Sequence, residues 1–139
     1  MDHIDDLASA YVAAVYSKDP QAFLALYDED VVVFDAWDQW ISRGRAAWSA
    51  MVENWFDSLG EERVRVSITP VFSHVEGDLG TVCAIVRYAG LSAAGEELRA
   101  LENRHTWTLK RRKTGWVILH EHSSSPADFK TMKVKLQQG

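Results

Sequence analysis

The spacing of apolar residues changes character along the chain. Ile4, Leu7, Tyr11, Ala14 and Val15 recur at intervals of three and four, which places them on one face of a helix. That helix is expected to stop near Ser17-Lys18. Asp19-Pro20 then starts a short second helix, because a carboxylate cap followed by proline suits a position that needs no N–H. It runs to about Tyr27 and buries Phe23, Leu24 and Tyr27. Val31 to Phe34 is β-branched and aromatic and reads as a strand. Asp35 to Trp40 is an exit loop. Gly44 precedes a third helix with the stripe Trp48, Met51, Val52, Trp55, Phe56 and Leu59, and Gly60 sits where a helix ends. From Glu62 the period falls to two. Arg63 to Phe72, Thr81 to Leu91, Leu98 to Lys110 and Trp116 to Ser124 read as four strands in succession, joined by short turns.

Helices early and strands late predict an α+β fold: a cone-shaped, curved antiparallel sheet with three N-terminal helices packed on its concave face. The mouth of such a cone makes a pocket. The domain is expected to span 1–126. The apolar pattern is lost after Ser123, and residues 127–139 form a tail, read as a loosely attached end or a partner-contacting arm. Both faces of the last strands carry large apolar groups, so a second subunit is expected on one of them and the chain is read as a homodimer.

Composition narrows the class. A chain of 139 residues, 47% hydrophobic and 25% charged, makes one domain with one core. Six tryptophans are too much apolar surface for a disordered chain. No window of about 18 residues is free of charge, which argues against a membrane span. The acidic start, Met1 to Ser9, resembles neither a signal nor a transit peptide. With Cys83 as the one cysteine, no intrachain disulfide or thiolate metal cage forms, and the cytoplasm is the expected address. A net charge of −5 argues against nucleic acid as a partner. The basic run Lys110 to Lys113 reads as a solvated hairpin tip.

Candidate chemistry is scattered. Asp35 follows an apolar strand; a carboxylate at the edge of an apolar pocket is desolvated and becomes a better base near neutrality, although a loop-capping aspartate has the same spacing. Tyr11 lies on the core stripe of the first helix, where a phenol either donates to a developing oxyanion or is simply core. His120 and His122 share one face of the last strand, and His105 lies on its neighbour. Three histidines could bind zinc, but nothing in their spacing is specific to a metal site and no metal is assigned; a proton shuttle and a structurally bonded pair are the other readings. Arg87 and Arg104 fall inside strands; each either sits on the wet part of a face or holds an anion, and Glu102 and Glu121 are available as ion-pair partners. A turn at Arg112 to Gly115 that pairs Arg112 with Trp116 would set Thr108 against His120 and Thr106 against His122. His105, Trp107 and Leu109 would then share the opposite face with Val117 and Leu119.

The chain resembles the nuclear transport factor two-like superfamily, the cone-shaped, cystatin-like α+β fold of SnoaL-like polyketide cyclases and ketosteroid isomerases. Tyr11 to Val15, Lys18-Asp19, Ala25 to Tyr27 and Val31 to Asp35 look like the front half of a ketosteroid isomerase. Gly77-Asp78, Cys83 to Arg87 and Arg111 to Ser124 look like SnoaL-like proteins and the association domain of calcium/calmodulin-dependent protein kinase II. The resemblance covers about residues 4 to 126. It implies that Tyr11 binds an oxyanion, that Asp35 is a general base and that Arg87 lines a pocket. The second acid of the isomerases falls near Trp107, where this chain has no carboxylic acid, and that placement turns His105 and Trp107 inward.

The functional expectation is a domain that binds a small apolar or ring-containing molecule. As an enzyme it would be a cofactor-free isomerase, cyclase or dehydratase that abstracts a proton next to a carbonyl. Asp35, Tyr11, His120 and His122 would carry the chemistry; Trp37, Trp40, Arg87, Arg104, His105 and Trp107 would contact the ligand. The alternative is a non-catalytic ligand-binding or oligomerisation module.

Overall fold

A computed structural model of the chain describes residues 4–139. Of the acidic start, Met1 to His3 lie outside the described residues. Helix α1, Asp6–Ser17, ends where Lys18 turns left-handed at φ 53° and its N–H caps the carbonyls of Ala14 and Val15. Helix α2, Pro20–Leu24, starts under the Asp19 side chain, which accepts from the Ala22 N–H. It is shorter than its apolar spacing suggested. Tyr27 leaves the helix to open strand β1, Tyr27–Phe34, beside Ile118, whose N–H donates to the Leu26 carbonyl. A two-residue strand β2, Ser42–Arg43, lies within what the sequence presents as a simple connection. Helix α3, Gly44–Ser58, follows, and Gly60 at φ +58° takes the left-handed position after its end.

Strands β3 (Arg63–Glu76), β4 (Leu79–Leu91), β5 (Glu97–Arg112) and β6 (Gly115–Ser124) form an antiparallel meander. The sheet order is β2-β1-β6-β5-β4-β3. One pair departs from the antiparallel expectation: β1 runs parallel to β6, at the opposite end of the meander from β3. No hairpin has to join β1 to β6, so nothing forces them antiparallel. Pro70 has no N–H to give a ladder, and it sits on β3, the edge strand, next to a bulge at Val71.

Leu7, Tyr11, Ala14 and Val15 of α1, Phe23 of α2, and Trp48, Val52 and Phe56 of α3 pack on the inner face of this curved, unclosed sheet. Trp107, Leu109, Trp116 and Ile118 supply the sheet side of the core.

The register of β5 and β6 decides what faces inward. Arg112 pairs with Gly115 and Arg111 with Trp116, one residue away from the pairing expected of the turn. A bulge at Leu119 takes up that residue, and Thr108 then meets His120 and Thr106 meets His122 as expected. The inner face is therefore Trp116 and Ile118 before the bulge and Glu121 and Ser123 after it. His105, Trp107 and Leu109 share that face with Trp116 and Ile118, not with Val117 and Leu119.

The tail does not hang free. Strand β5 is longer than β6, so its first residues have no partner on that side. The chain folds back through an Ala127–Val134 bridge, and the Glu102 N–H donates to the Leu136 carbonyl at 2.7 Å. Gln137 donates to the Ala100 carbonyl, and Gln138 donates twice to the Glu102 carboxylate.

Candidate functional site

The helices do not fill the cone. They leave a hollow of about 670 Å³, within the range of about 300–1,000 Å³ typical of small-molecule sites. Phe23, Met51, Val52, Trp55 and Leu101 line it with carbon, and Leu136 of the tail closes part of the wall. Three polar constellations interrupt this apolar lining.

The first is Asp35. It stands where β1 ends and the chain turns outward, and it lines the hollow. Its Oδ1 accepts from the Ser123 hydroxyl at 3.0 Å and from the Ala36 N–H at 3.1 Å. Burial raises its pKa above the ordinary aspartate value; the hydrogen bonds from Ser123 and Ala36 oppose the shift without cancelling it.

The second is a chain of hydroxyls. Tyr11 and Tyr88 share a hydrogen bond of 2.8 Å, and Tyr88 meets His105 Nε2 at 2.9 Å. All three line the hollow. Burial raises the pKa of both phenols well beyond the ordinary tyrosine value, so they stay protonated. Burial pushes His105 down to about 3, so its ring is neutral. His105 Nδ1 is buried with no hydrogen-bond partner among the described residues. A buried lone pair without a donor costs less than a buried N–H without an acceptor, so the tautomer with its proton on Nε2 is favoured. Nε2–H then donates to Tyr88, Tyr88 donates to Tyr11, and the Tyr11 proton points to whatever occupies the hollow.

The third is Glu121, which the sequence presents only as a partner for an arginine. It faces inward, 1% exposed, and lines the hollow. Its Oε1 accepts from the Tyr27 hydroxyl at 2.6 Å and the Trp107 Nε1–H at 2.7 Å. Burial pushes its pKa up to about 7, against the pull of those two donors, and the nearby Asp35 adds to the rise. The signal that could have found it is the alternation of β6, but counting in twos from Trp116 puts His120 and His122 inside instead, because it passes over the bulge.

Several of the expected catalytic and contact residues lie elsewhere. His120 is on the outer face, its Nδ1 2.6 Å from the Val32 carbonyl, and both His120 and His122 meet the Phe34 ring edge-on. Arg87 is held by Glu97 in two bonds of 3.0 and 2.9 Å outside the hollow; its partner is neither Glu102 nor Glu121. Arg104 is exposed and donates to Ser124 Oγ. An arginine on the outward parity of a strand reaches water or a surface carboxylate more cheaply than a buried anion. Trp40 is 91% exposed, and Trp37, 43% exposed, sits at the rim. Trp107 lies behind the lining, and its indole is committed to Glu121. Among the described residues no three His, Cys, Asp or Glu side chains converge on a point that could hold a metal, and no helix is long and apolar enough to cross a membrane.

A half-open cone with helices on its inner face is the NTF2-like, cystatin-like architecture, and solved structures of that class superpose on it. An NTF2-like protein of unknown function from Pseudomonas putida is 25% identical over 98% of this chain and 93% of its own, with a TM-score of 0.81. An NTF2-like protein with a cystatin-like fold from Novosphingobium aromaticivorans is 21% identical over 93% and 83%, with a TM-score of 0.74. A ketosteroid isomerase-like protein from Erwinia carotovora atroseptica is 18% identical over 88% and 95%, with a TM-score of 0.70. The family model described as a SnoaL-like domain matches residues 4–128, and the chain belongs to that family. No curated protein matches the chain.

Proposed function

We propose that this SnoaL-like chain is a cofactor-free enzyme that takes a proton from carbon next to a carbonyl of a small, apolar, ring-containing molecule. Isomerases, cyclases and dehydratases share that first step. One observation carries the reading: a carboxylate, Asp35, and a hydroxyl pair, Tyr11–Tyr88, line one largely apolar hollow. Asp35 is the base, made more basic by burial. Tyr11 donates to the oxygen on which charge develops, and neutral His105 orients that donation through Tyr88. His120 and His122 have no part in the step. Trp107 stands where the isomerases' second acid would fall, so steroid isomerisation is not the reaction proposed. The homodimer belongs to the same reading: the outer face around Phe34, His120 and His122 is a candidate contact, and sedimentation of the chain tests it.

The probe is 5-nitro-1,2-benzisoxazole, a compact bicycle. A base removes its ring C–H, the electron pair closes a nitrile, and the N–O bond breaks to release a phenolate. Asp35→Asn is expected to lower kcat/KM by about 10²–10⁴-fold while leaving Tm nearly unchanged. An unchanged rate makes the hollow a binding module. A large fall in Tm marks Asp35 as a structural group.

A further inference from the structure

We infer that Glu121 is the acid partner of Asp35, its second carboxyl oxygen delivering a proton to the substrate oxygen that gains charge as Asp35 takes the proton from carbon. This rests on the proposed function and narrows it to eliminations in which an oxygen departs from, or is unmasked on, the substrate.

The geometry starts from the parallel pairing of β1 and β6. Val33 lies against Glu121 and Phe34 against His122, so Asp35 leaves β1 beside Ser123, to which it is bonded. The two carboxyls thus come from neighbouring positions of adjacent strands and line the same hollow. Their surroundings differ. Asp35 is held by a hydroxyl and a backbone N–H on one oxygen, and it is only partly buried. Glu121 is fully buried, and both its donors, Tyr27 and Trp107, go to Oε1. Oε2 has no partner among the described residues and is not sealed among the buried unpartnered atoms, so it opens on the hollow.

Two carboxylates facing one apolar space ionise in sequence rather than together, because the charge on one raises the cost of charging the other. The more buried one keeps the proton, and on Glu121 that proton belongs on Oε2, since two donors already occupy Oε1. The result is an ionised base and a neutral acid in one site. Tyr11 is the poorer acid: burial raises its pKa well above the ordinary tyrosine value, so its part is to orient an oxygen by a hydrogen bond. Glu121, pushed to about 7, holds a transferable proton at neutrality.

The step balances. Asp35 gains the proton from carbon, the C–H electron pair forms the new π-bond, the bond to the departing oxygen breaks, and Glu121 protonates that oxygen. Return of the proton from Asp35 to Glu121, directly or through water, restores the starting state. The groups facing Glu121 are Tyr27 and Trp107 around its bound oxygen, Asp35 beyond β1, and Tyr11 and Tyr88 from α1 and β4. The phenols stay neutral, which leaves Asp35 and Glu121 to titrate.

The test compares 5-nitro-1,2-benzisoxazole with the unsubstituted compound. The nitro group makes the departing phenolate so weak a base that it needs no acid; the unsubstituted oxygen does need one. Glu121→Gln, a shape match for the protonated side chain, is expected to lower kcat/KM about 10²-fold on the unsubstituted compound and less than about threefold on the nitro compound. Equal effects on both, or none on either, overturn the inference. Asp35→Asn lowers both rates; if it lowers neither, the proposed function itself fails, whatever Glu121 does. Should Glu121→Gln not fold, the unaltered chain decides. Its rate on the unsubstituted compound is expected to fall about tenfold per pH unit above about 7 while the nitro rate holds. Parallel profiles overturn the inference.

Discussion

Asp35 just past the end of β1 and Glu121 inside β6 both carry carboxyls into the hollow, yet only one was visible as chemistry from the sequence. Asp35 directly follows an apolar run, so its neighbours announce a desolvated carboxylate. Glu121 sits between two histidines in an alternating stretch, and nothing local says which way it points. Its burial has a consequence for stability. Its pKa in the folded chain, about 7, stands above the unfolded value of 4.5, so folding favours its protonated form. That contribution is fully present below about pH 4.5 and is lost as pH rises to about 7. His105 works in the opposite sense. Its folded value of about 3 lies below the unfolded 6.5, so stability is complete above 6.5 and is lost as pH falls toward 3. Between pH 6.5 and 4.5 the two slopes, each about 1.4 kcal/mol per pH unit at most, offset each other. Urea midpoints are therefore expected to diverge on acidification: Glu121→Gln loses stability relative to the native chain, and His105→Gln gains it. Identical slopes for all three would show that neither group titrates as its burial requires.

At the scale of elements, local chemistry was easiest to read. Asp19-Pro20 placed the start of α2 because a cap and a missing N–H act within one turn. Asp19→Ala is expected to cost about 1 kcal/mol, read as a shift in urea midpoint. The end of α2 was harder, since Leu26 and Tyr27 satisfy a helical spacing but bond to β6. The tail was least legible. Nothing in residues 127–139 shows that β5 outruns β6 and leaves an unpaired N–H at Glu102. Removing residues 133–139 is expected to speed amide exchange at Glu102, which loses its bond to Leu136, and to leave the amides of Val31 and Val33 protected. Unchanged exchange at Glu102 would mean that the tail is not docked there in solution.

At the scale of the whole molecule, the helices and the curved sheet leave a gap that no single element encodes. Its lining residues come from all three helices, from β3, β4, β5 and β6, from the connection after β1 and from the tail. Arg65 and Arg87 on Glu97 and Arg112 on Asp28 lie outside it, while Arg99, which lines it, pairs with Glu62; all are ion pairs with water on at least one partner. Such pairs contribute little, so stability rests on the buried apolar cluster. Raising sodium chloride from about 0.05 M to 0.5 M is expected to move the unfolding free energy by less than about 1 kcal/mol. A larger loss would mean that the surface pairs hold the fold.

What the sequence determined by itself was everything carried by near neighbours and by periodicity. The three helices, the β1 segment, the meander, the α+β class and the inward placement of Tyr11 all follow from spacings of three, four or two, because a helix or strand repeats its own geometry. What the tertiary structure decided was parity and reach. One extra residue at Leu119 reverses the two faces of β6, turning His120 and His122 outward and Glu121 and Ser123 inward, because successive side chains on a strand point to opposite sides. The parallel seating of β1 against β6 then brings Asp35 to the same hollow as Glu121. Neither fact exists until strands far apart in the chain have paired.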